Sequence, residues 1–484
     1  MEETKSGNRS FWLIILAIFF GNFMAILSTT TINVAFPVFM EDFHAKLSAV
    51  QWMMAGFMLA TGVIAPTVGF LGDYLSFKRL YIIALSGFTL FSVLCSIAWN
   101  IESLITFRIM QGVCSGIIMP TTMTMIYQLI EKEKQAFAMS LWSLSAMLAP
   151  AFGPTLGGWM TEYFGWESLF LINLPIGIIA IFVASICIPY YRMNKITVFD
   201  ASGFITVIIS SSSLLLAFSE GNEWGWTSVK TLSFIGLGLL SLIIFIRREL
   251  TARHPLLNIR VFKFNRFTFS LIINCIITAS LYSGVFLIPI FMQNIQHATA
   301  LDTALVLLPG SVVMAVSTPI IGKLYDKTGP FWLILCGILL VGFSTFELSH
   351  LQMSSSRMYV TSWLTLRYIG IAFAFMPVTN AGMSAIPREN AGHGSSVTNW
   401  IRQATGALSI GIFSSILAAK TIQHAKDMRG DMTAIKEHAM AMAVDDVFLI
   451  ASMICAIGIP LTFLLRSKKN SSSIQMNSDG NSSK

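Results

Sequence analysis

Charged side chains inside apolar segments are the residues of this chain best placed to do chemistry. Arg108 lies within the apolar segment 103–127, and Arg367 lies within 358–382. An ionisable side chain at hydrocarbon depth is costly, so each arginine is a candidate for an ion or solute pathway. Glu347, near the end of another apolar segment, is the best acidic candidate, because a carboxyl there could take up and release a proton. The alternative for Glu347 is a solvated glutamate at the membrane surface.

The composition identifies an integral membrane protein. Of the 484 residues, 55% are hydrophobic and 11% are charged, whereas soluble domains carry about 25% charged residues. The mean hydropathy is +0.71. The sequence contains no G-x-x-x-x-G-K-[ST] motif, no H-E-x-x-H motif and no long soluble segment. These absences argue against an enzyme and against an ATP-driven pump, and we expect no cofactor and no bound metal.

Long apolar segments predict an all-α fold with fourteen membrane spans. Each is near the roughly 20 residues that cross the hydrocarbon core. They lie at 11–36, 49–71, 80–99, 103–127, 137–160, 168–189, 201–219, 229–246, 267–291, 303–324, 331–348, 358–382, 394–418 and 447–465. Two segments separate six from six, so the predicted order is six helices, two inserted helices and six helices.

The predicted domain limits follow from these spans. They are a cytoplasmic N-terminal segment 1–10, a six-helix bundle 11–189, an insert with a basic linker 190–266, a second six-helix bundle 267–465 and a disordered cytoplasmic tail 466–484. Within the second bundle, 419–446 is predicted to be an extracellular loop that carries a surface helix.

The basic residues predict the orientation in the membrane. With both termini in the cytoplasm, inside segments hold about three times as many Lys and Arg residues as outside loops. The segment 247–266 is the richest and is expected to lie against anionic lipid headgroups rather than nucleic acid. The net charge of +7 then reflects topology.

Two pairs of motifs indicate duplicated halves. Gly69 and Asp73 in the loop after the second segment are echoed by Gly322 and Asp326, which lie 253 residues later. Arg108, Gly112 and Pro120 are similarly echoed by Arg367, Gly370 and Pro377. Similar offsets for independent pairs favour two pseudo-symmetric bundles, a common plan among transporters.

The duplicated loops predict a conformational latch. Asp73, Lys78 and Arg79 lie where the second segment leaves the membrane, and the second copy ends at Gly329. A carboxylate there can bond to the N-terminus of a neighbouring helix while the bases pair with acids or headgroups. Such contacts can hold one conformation and break in another. Basic residues that only mark a short cytoplasmic loop are the alternative.

The fifth segment contains an unusual run of proline and glycine. Each proline removes a backbone hydrogen bond and kinks the helix, while the glycines let a neighbouring helix approach closely. The residues concerned are Pro150, Gly153, Pro154, Gly157 and Gly158. An interrupted span of this kind indicates a moving helix beside a pathway. A static kink at a helix contact is the alternative.

Several polar and aromatic residues are candidates for the substrate pathway. Methionine and aromatic side chains can re-pack around varied apolar ligands, although more often they face lipid or neighbouring helices. The candidates are Ser28, Asn33, Trp52, Phe57, Gln111, Tyr127 and Trp142.

Several motifs resemble one family. The segment 69–79 resembles the loop motif of the major facilitator superfamily, and Arg108–Gly112 resembles its helix-four motif. Ala149–Gly158 resembles the antiporter motif of its fourteen-span drug:proton antiporters, the EmrB/QacA-like multidrug exporters, and 166–177 resembles that branch's entry to helix six. The second half is similar through Gln293, Leu308–Gly310, Gly322–Gly329 and Gly394–Gly411. The resemblance covers nearly the whole chain.

This resemblance implies alternating access between two bundles and export of drugs or toxic compounds from the cytoplasm. It also implies coupling to proton influx across a bacterial plasma membrane. Small-molecule substrates, protons and membrane lipid are then the expected partners, and the chain is expected to be monomeric.

The chain departs from the family pattern at three positions. Ser28 stands where the branch's first helix usually carries an acid, which is the family's candidate for binding protons or cations. Tyr74 and Ser76 replace a basic residue and a glycine of the loop motif. With Arg108 and Arg367 in the membrane and no matching acid, the pathway is predicted to be neutral to positive. Such a pathway suits neutral or anionic amphipathic compounds.

Three alternatives stay open from the sequence. Arg402 lies nearer the predicted cytoplasmic side and could extend toward the headgroups instead of facing the pathway. The chain could be a proton-independent or symporting carrier of an endogenous metabolite. It could also be a membrane sensor that keeps the fold without transport.

Overall fold

The described chain is helical throughout its length. The computed structural model describes residues 2–190, 200–252, 255–257, 259–387, 391–426, 428 and 432–465. The predicted tail 466–484 lies outside these residues. Within them, the long helices are α1 Glu2–Thr30, α2 Leu47–Ile64, α3 Phe77–Ser96, α4 Ile101–Leu129, α5 Lys132–Phe164, α6 Asn173–Cys187, α7 Ala201–Trp224, α8 Val229–Thr251, α9 Asn265–Ile290, α10 Ala300–Thr328, α11 Pro330–Glu347, α12 Arg357–Met383, α13 Ala391–Lys426 and α14 Met432–Leu464.

Short helical segments join or extend these helices. They are Ile32–Ala35, Phe36–Asp42, Ala65–Thr67, Val68–Leu75, Ser168–Leu171, Ile259–Lys263, Phe291–Ile295 and Leu348–His350.

The helices have the length and composition expected for a membrane protein. Twelve candidate membrane spans are found among the described residues. The remaining two long helices, α5 and α12, lie where the fifth and twelfth spans were predicted. The all-α membrane fold is therefore confirmed, while the count of fourteen spans stays a prediction.

The same pairs of helices pack together in the two halves. In the first half α1 packs on α5 and α6, α2 on α4, and α3 on α4 and α6. In the second half α9 packs on α13 and α14, α10 on α12, and α11 on α12 and α14. These are equivalent pairs when α9–α14 are counted as copies of α1–α6. The recurrence is what duplicated halves would produce, although the domain limits themselves stay predictions.

Two seams join the halves. One is formed by α5 and α10, and the other by α2 and α13. When the helices of each half are numbered from one to six, each seam pairs the fifth helix of one half with the second helix of the other. The halves therefore meet through equivalent surfaces on two sides.

The inserted helices α7 and α8 pack on each other and cover the α2–α13 seam. α7 contacts both α13 and α2. Phe245 of α8 lies 5.8 Å from Trp400 of α13, measured between ring centroids. Trp52 of α2 donates to Glu220 of α7 over 3.3 Å. The predicted span ended at residue 219, but α7 continues about one turn further and includes Glu220.

Asp200 anchors the start of α7. Removal from water alone would raise its pKa, but hydrogen bonds from Gly203 N, Ser202 and Arg248 hold that pKa below its usual value. The Arg248 Nε atom lies 3.1 Å from the carboxylate, which ties the end of α8 to the start of α7.

The predicted loop 419–446 has a different form in the structure. α13 continues to Lys426 and α14 begins at Met432, so the ends of two long helices take the place of a separate surface helix. Lys420 and His424 of α13 both contact Asp446 of α14, at 3.2 and 3.0 Å. These contacts hold the two helix ends together.

Ser76 has an unfavourable backbone conformation at the junction between Val68–Leu75 and α3. Its φ of 80° is in the region that glycine adopts without strain. Its buried hydroxyl has no hydrogen-bond partner. In the second half, the junction before α11 is Gly329, with φ 72°. The serine therefore costs energy that the glycine at the equivalent junction does not.

We predict that Ser76→Gly stabilises the protein by about 1 kcal/mol, because it removes a Cβ from a strained backbone. The measurement is the Tm of the purified chain. The matched control is Gly329→Ser, which should lower the Tm, since no heavy atom lies within 4 Å of a Cβ at that position and only backbone strain is added. A lower Tm for Ser76→Gly would contradict the prediction.

Candidate solute pathway

Arg108 lies at the centre of a buried polar network in the first half. The side chain is fully buried in α4. Its Nη1 atom donates to Gln111 Oε1 over 2.6 Å and to Ser28 Oγ over 3.2 Å. Gln111 in turn donates to Ser92 of α3, which also accepts from Asn173 over 3.1 Å. The network joins α1, α3, α4 and α6, and sequence reasoning missed Ser92 and Asn173.

The guanidinium of Arg108 is balanced by dipoles and an aromatic ring rather than by an acid. Its carbon lies 4.1 Å from the ring centroid of Phe57. A desolvated cation–π contact of this kind contributes about 2 kcal/mol. The Nε and Nη2 atoms are buried without a hydrogen-bond partner. Ser28, which stands where an acid was expected from the resemblance, is a direct hydrogen-bond partner of this cation.

Arg367 makes the equivalent arrangement in the second half. It is buried in α12, and its Nη2 atom donates to Ser283 Oγ over 2.8 Å and to the Ser280 carbonyl. Both serines belong to α9, the counterpart of α1. Each half therefore has one buried arginine bonded to serine in its first helix. The duplicated motif predicted the two arginines, whereas the serine partners carried no recognisable signal.

Glu347 lies apart from the two arginines. It is the last residue of α11 and is half-buried. Tyr359 of α12 donates to the Glu347 carbonyl over 3.2 Å, and its hydroxyl lies 3.5 Å from the carboxylate. Its role in proton exchange stays a prediction.

The other pathway candidates have varied surroundings. Asn33 is buried, and its Oδ1 atom has no hydrogen-bond partner. Trp142 of α5 donates to Thr122 of α4 over 3.1 Å. Trp52 faces the inserted helix α7 through its bond to Glu220. The side chain of Tyr127 lies outside the described part of the chain.

The glycines of α5 mark its closest contacts. A Cβ at Gly153 would lie 2.0 Å from Thr30 Oγ1, and one at Gly157 would lie 2.3 Å from the Thr31 carbonyl. A Cβ at Gly158 would lie 2.5 Å from the Ala300 carbonyl of α10. α5 therefore packs against its own half with one face and against the other half with the neighbouring face. Its helix is continuous through the motif, Pro154 is buried, and the side chain of Pro150 is not described.

The first loop motif contacts the end of α6. Lys78 Nζ donates to the Ser185 carbonyl over 2.7 Å, and Arg79 lies 5.1 Å from the ring centroid of Tyr190. Gly112 packs against the Phe57 backbone, and Gly322 has no heavy atom within 4 Å of a Cβ position. Gly69 belongs to the short helix Val68–Leu75, and the side chains of Asp73 and Asp326 lie outside what the structure describes. The latch therefore stays a prediction.

A cavity of about 540 Å³ opens between the halves at the predicted outer end. It is lined by Glu41 near α1 and by Gln293 and His297 between α9 and α10. Gln293 Nε2 donates to the Val34 carbonyl over 2.6 Å, which links the two halves beside the cavity. Sequence reasoning matched Gln293 only as a family residue and missed this contact. Among the described residues, no group of three or more His, Cys, Asp or Glu residues could hold a metal ion.

The comparisons with known proteins agree on one family. The model of the Major Facilitator Superfamily matches residues 18–410. The uncharacterized transporter YhcA of Bacillus subtilis, of the same superfamily type, is 34% identical, with 93% of this chain and 84% of that protein covered. The lincomycin resistance protein LmrB of Bacillus subtilis is 27% identical, covering 97% and 99%.

Two further similarities are consistent with this. The multidrug resistance protein Stp of Mycobacterium tuberculosis is 28% identical, covering 85% of this chain and 77% of that protein. A crystal structure of a bacterial homologue of the human lysosomal transporter Spinster, in an inward-facing and unoccupied conformation, has a TM-score of 0.65. It is 15% identical and covers 93% of this chain and 96% of that one, so it supports the fold alone.

We predict that Gly153→Leu reduces transport at least tenfold, because the side chain would separate α5 from α1 at a cost of about 1–3 kcal/mol. The matched control is Gly236→Leu in α8, where a Cβ meets no heavy atom within 4 Å. The measurement is dye efflux from cells without their own exporters, together with the elution profile of each purified variant. Normal efflux by Gly153→Leu would contradict the prediction.

Proposed function

The chain belongs to the major facilitator superfamily, and we propose from that premise that it exports amphipathic small molecules by alternating access coupled to proton influx. Family membership identifies a multi-pass membrane transporter rather than an enzyme. Its bacterial relatives suggest the cell membrane, and we propose that both termini lie in the cytoplasm. The relatives named for lincomycin and multidrug resistance support drugs or toxic compounds as the class of substrate.

The observation that carries this proposal is that α5 packs tightly against α1 of its own half and against α10 of the other half. Gly153 packs against Thr30, the last residue of α1, and Gly157 packs against Thr31, which follows it, while Gly158 packs against Ala300 at the start of α10. A small movement of α5 within its half must therefore change the contact between the halves. Tight small-residue contacts of this kind favour rigid packing that can exist in two arrangements.

The surroundings of Arg108 support neutral or anionic substrates. Its described hydrogen-bond partners are Ser28 and Gln111, which carry no charge. The positive charge therefore extends its field into the first half without a local carboxylate to cancel it. An organic cation that approached this network would be repelled, whereas a neutral or anionic compound would not.

Glu347 is the proposed proton-exchanging residue. It lies at the end of α11, half-buried beside the Tyr359 hydroxyl, where a carboxyl can be reached from solvent. Movement of α11 against α12 during the transport cycle would change how far this carboxyl is exposed. The coupling then depends on an acid in the second half rather than on the position occupied by Ser28.

Transport by purified protein in proteoliposomes tests the function and the coupling together. We expect uphill export of a neutral or anionic amphiphile that stops when a protonophore is added. Glu347→Gln should abolish uphill export while downhill flux continues. The matched control Glu102→Gln, an exposed acid near the start of α4, should behave as wild type.

Other outcomes would identify the alternatives. Uphill export that is indifferent to the protonophore would exclude proton coupling. Absence of flux for every amphiphile would favour a sensor that keeps the fold. Full uphill export by Glu347→Gln would exclude that residue as the proton carrier.

We further predict that Ser28→Asp increases the export of quaternary ammonium dyes, because its carboxylate would pair with Arg108 and cancel the repulsive charge. Ser28→Asn is the matched control, since asparagine has nearly the same size without the charge. The measurement is the dye efflux rate for the three proteins at equal expression. Strong cation export by the wild type would contradict the charge argument.

A further inference from the structure

Arg402 differs from the other two arginines at membrane depth. Arg108 and Arg367 are buried inside their own halves, where serine and backbone groups receive their hydrogen bonds. Arg402 is only half-buried on α13, and its Nη2 atom donates to Asn399 Oδ1 over 2.9 Å. Among the described residues, no other hydrogen bond from its guanidinium is found.

Arg402 lies on the part of α13 that packs against both halves. Gly406, one turn further along α13, would place a Cβ 2.2 Å from Met58 of α2 and 2.7 Å from the ring of Tyr282 of α9. The guanidinium carbon lies 5.8 Å from the ring centroid of Phe375 of α12. Arg402 therefore lies where α13 meets α2 of the first half and α9 and α12 of the second.

Arg402 lies within the candidate membrane span Ser396–Lys426. It lies eleven residues after the start of α13 at Ala391. At a rise of about 1.5 Å per residue, this is roughly 16 Å along the helix. The candidate span begins at Ser396, so Arg402 lies about 9 Å along the helix from that end of the span.

Within the described residues, the helices that surround the Arg402 side chain supply no acid to neutralise its charge. The helices α2, α9, α12 and α13 contain no aspartate or glutamate. An unpaired cation at this depth is costly unless water or an anion reaches it. The ring of Phe375 and the thioether of Met58 add an apolar surface beside the charge, which suits the hydrophobic part of an amphiphile.

We propose that Arg402, with Asn399 beside it, binds the anionic group of an amphipathic solute in the central route between the halves. This inference rests on the proposed function and narrows its substrate class. A carboxylate or sulfonate accepts hydrogen bonds from the free guanidinium nitrogens and from the Asn399 amide. The adjacent Phe375 ring contacts the apolar part of the same molecule.

The test compares two probes with one fluorescent core. They are 8-anilino-1-naphthalenesulfonate, which is an anion, and N-phenyl-1-naphthylamine, which is neutral. Equilibrium binding to the purified full-length chain and export from proteoliposomes are measured for the wild type, Arg402→Gln and Arg402→Lys. The control Arg260→Gln removes one exposed positive charge from the linker between α8 and α9. Tm values verify that each variant is folded.

We expect Arg402→Gln to weaken sulfonate binding at least about tenfold, as the loss of a charge-assisted hydrogen bond predicts. Binding of the neutral probe should change less than about twofold by the same reasoning, because it makes no such bond. Arg402→Lys should retain part of the sulfonate affinity, since lysine keeps the positive charge but lacks the planar guanidinium group that can donate two parallel hydrogen bonds. Arg260→Gln should bind both probes as the wild type does.

Equal effects on the two probes, no effect on either, or no sulfonate binding by the wild type would overturn the inference. Selective loss of sulfonate binding without export of either probe would instead refute the proposed function and leave the binding site standing. If Arg402→Gln does not fold, the ratio of the affinity for the sulfonate to the affinity for the neutral probe is measured for Arg402→Lys instead. A ratio equal to that of the wild type would overturn the proposal.

Discussion

The need to satisfy charge inside an apolar medium governs this structure. Arg108 and Arg367 are each held by neutral groups from the first helix of their own half. Because dipoles replace a carboxylate, neither half contains an internal ion pair at these positions. The helices around each arginine must stay close to supply enough hydrogen bonds, and this requirement makes each half a rigid unit.

Rigid halves transfer any movement to the seams between them. The close contacts of α5 involve backbone and small side chains, which deform little. By contrast, the Gln293 to Val34 bond at the predicted outer end is a single contact that can break at low cost. The molecule therefore combines stiff bundles, joined along two seams, with a hydrogen bond at the predicted outer end that can break, as alternating access requires.

The sequence predicted the architecture better than the site. Long apolar segments and duplicated motifs indicated the helices, because hydropathy and glycine spacing are properties of local sequence. Gly153, Gly157 and Gly158 were singled out from the sequence and lie at close helix contacts, although the neighbour of each glycine was not predictable. Ser280, Ser283, Ser92 and Asn173 were missed, since a polar residue in a membrane helix has no signal that identifies its partner. Arg402 stayed ambiguous because its depth depends on where α13 begins.

The inserted helices make the two sides of the transporter unequal. α7 and α8 lie over the α2–α13 seam, whereas the α5–α10 seam has no such cover among the described residues. A hydrophobic compound dissolved in the bilayer therefore has one lateral flank from which it can approach the interface directly. Because the insert covers only one of the two seams in the described part of the chain, a nearly twofold-symmetric protein has a single lateral opening for compounds that arrive from the lipid rather than from water.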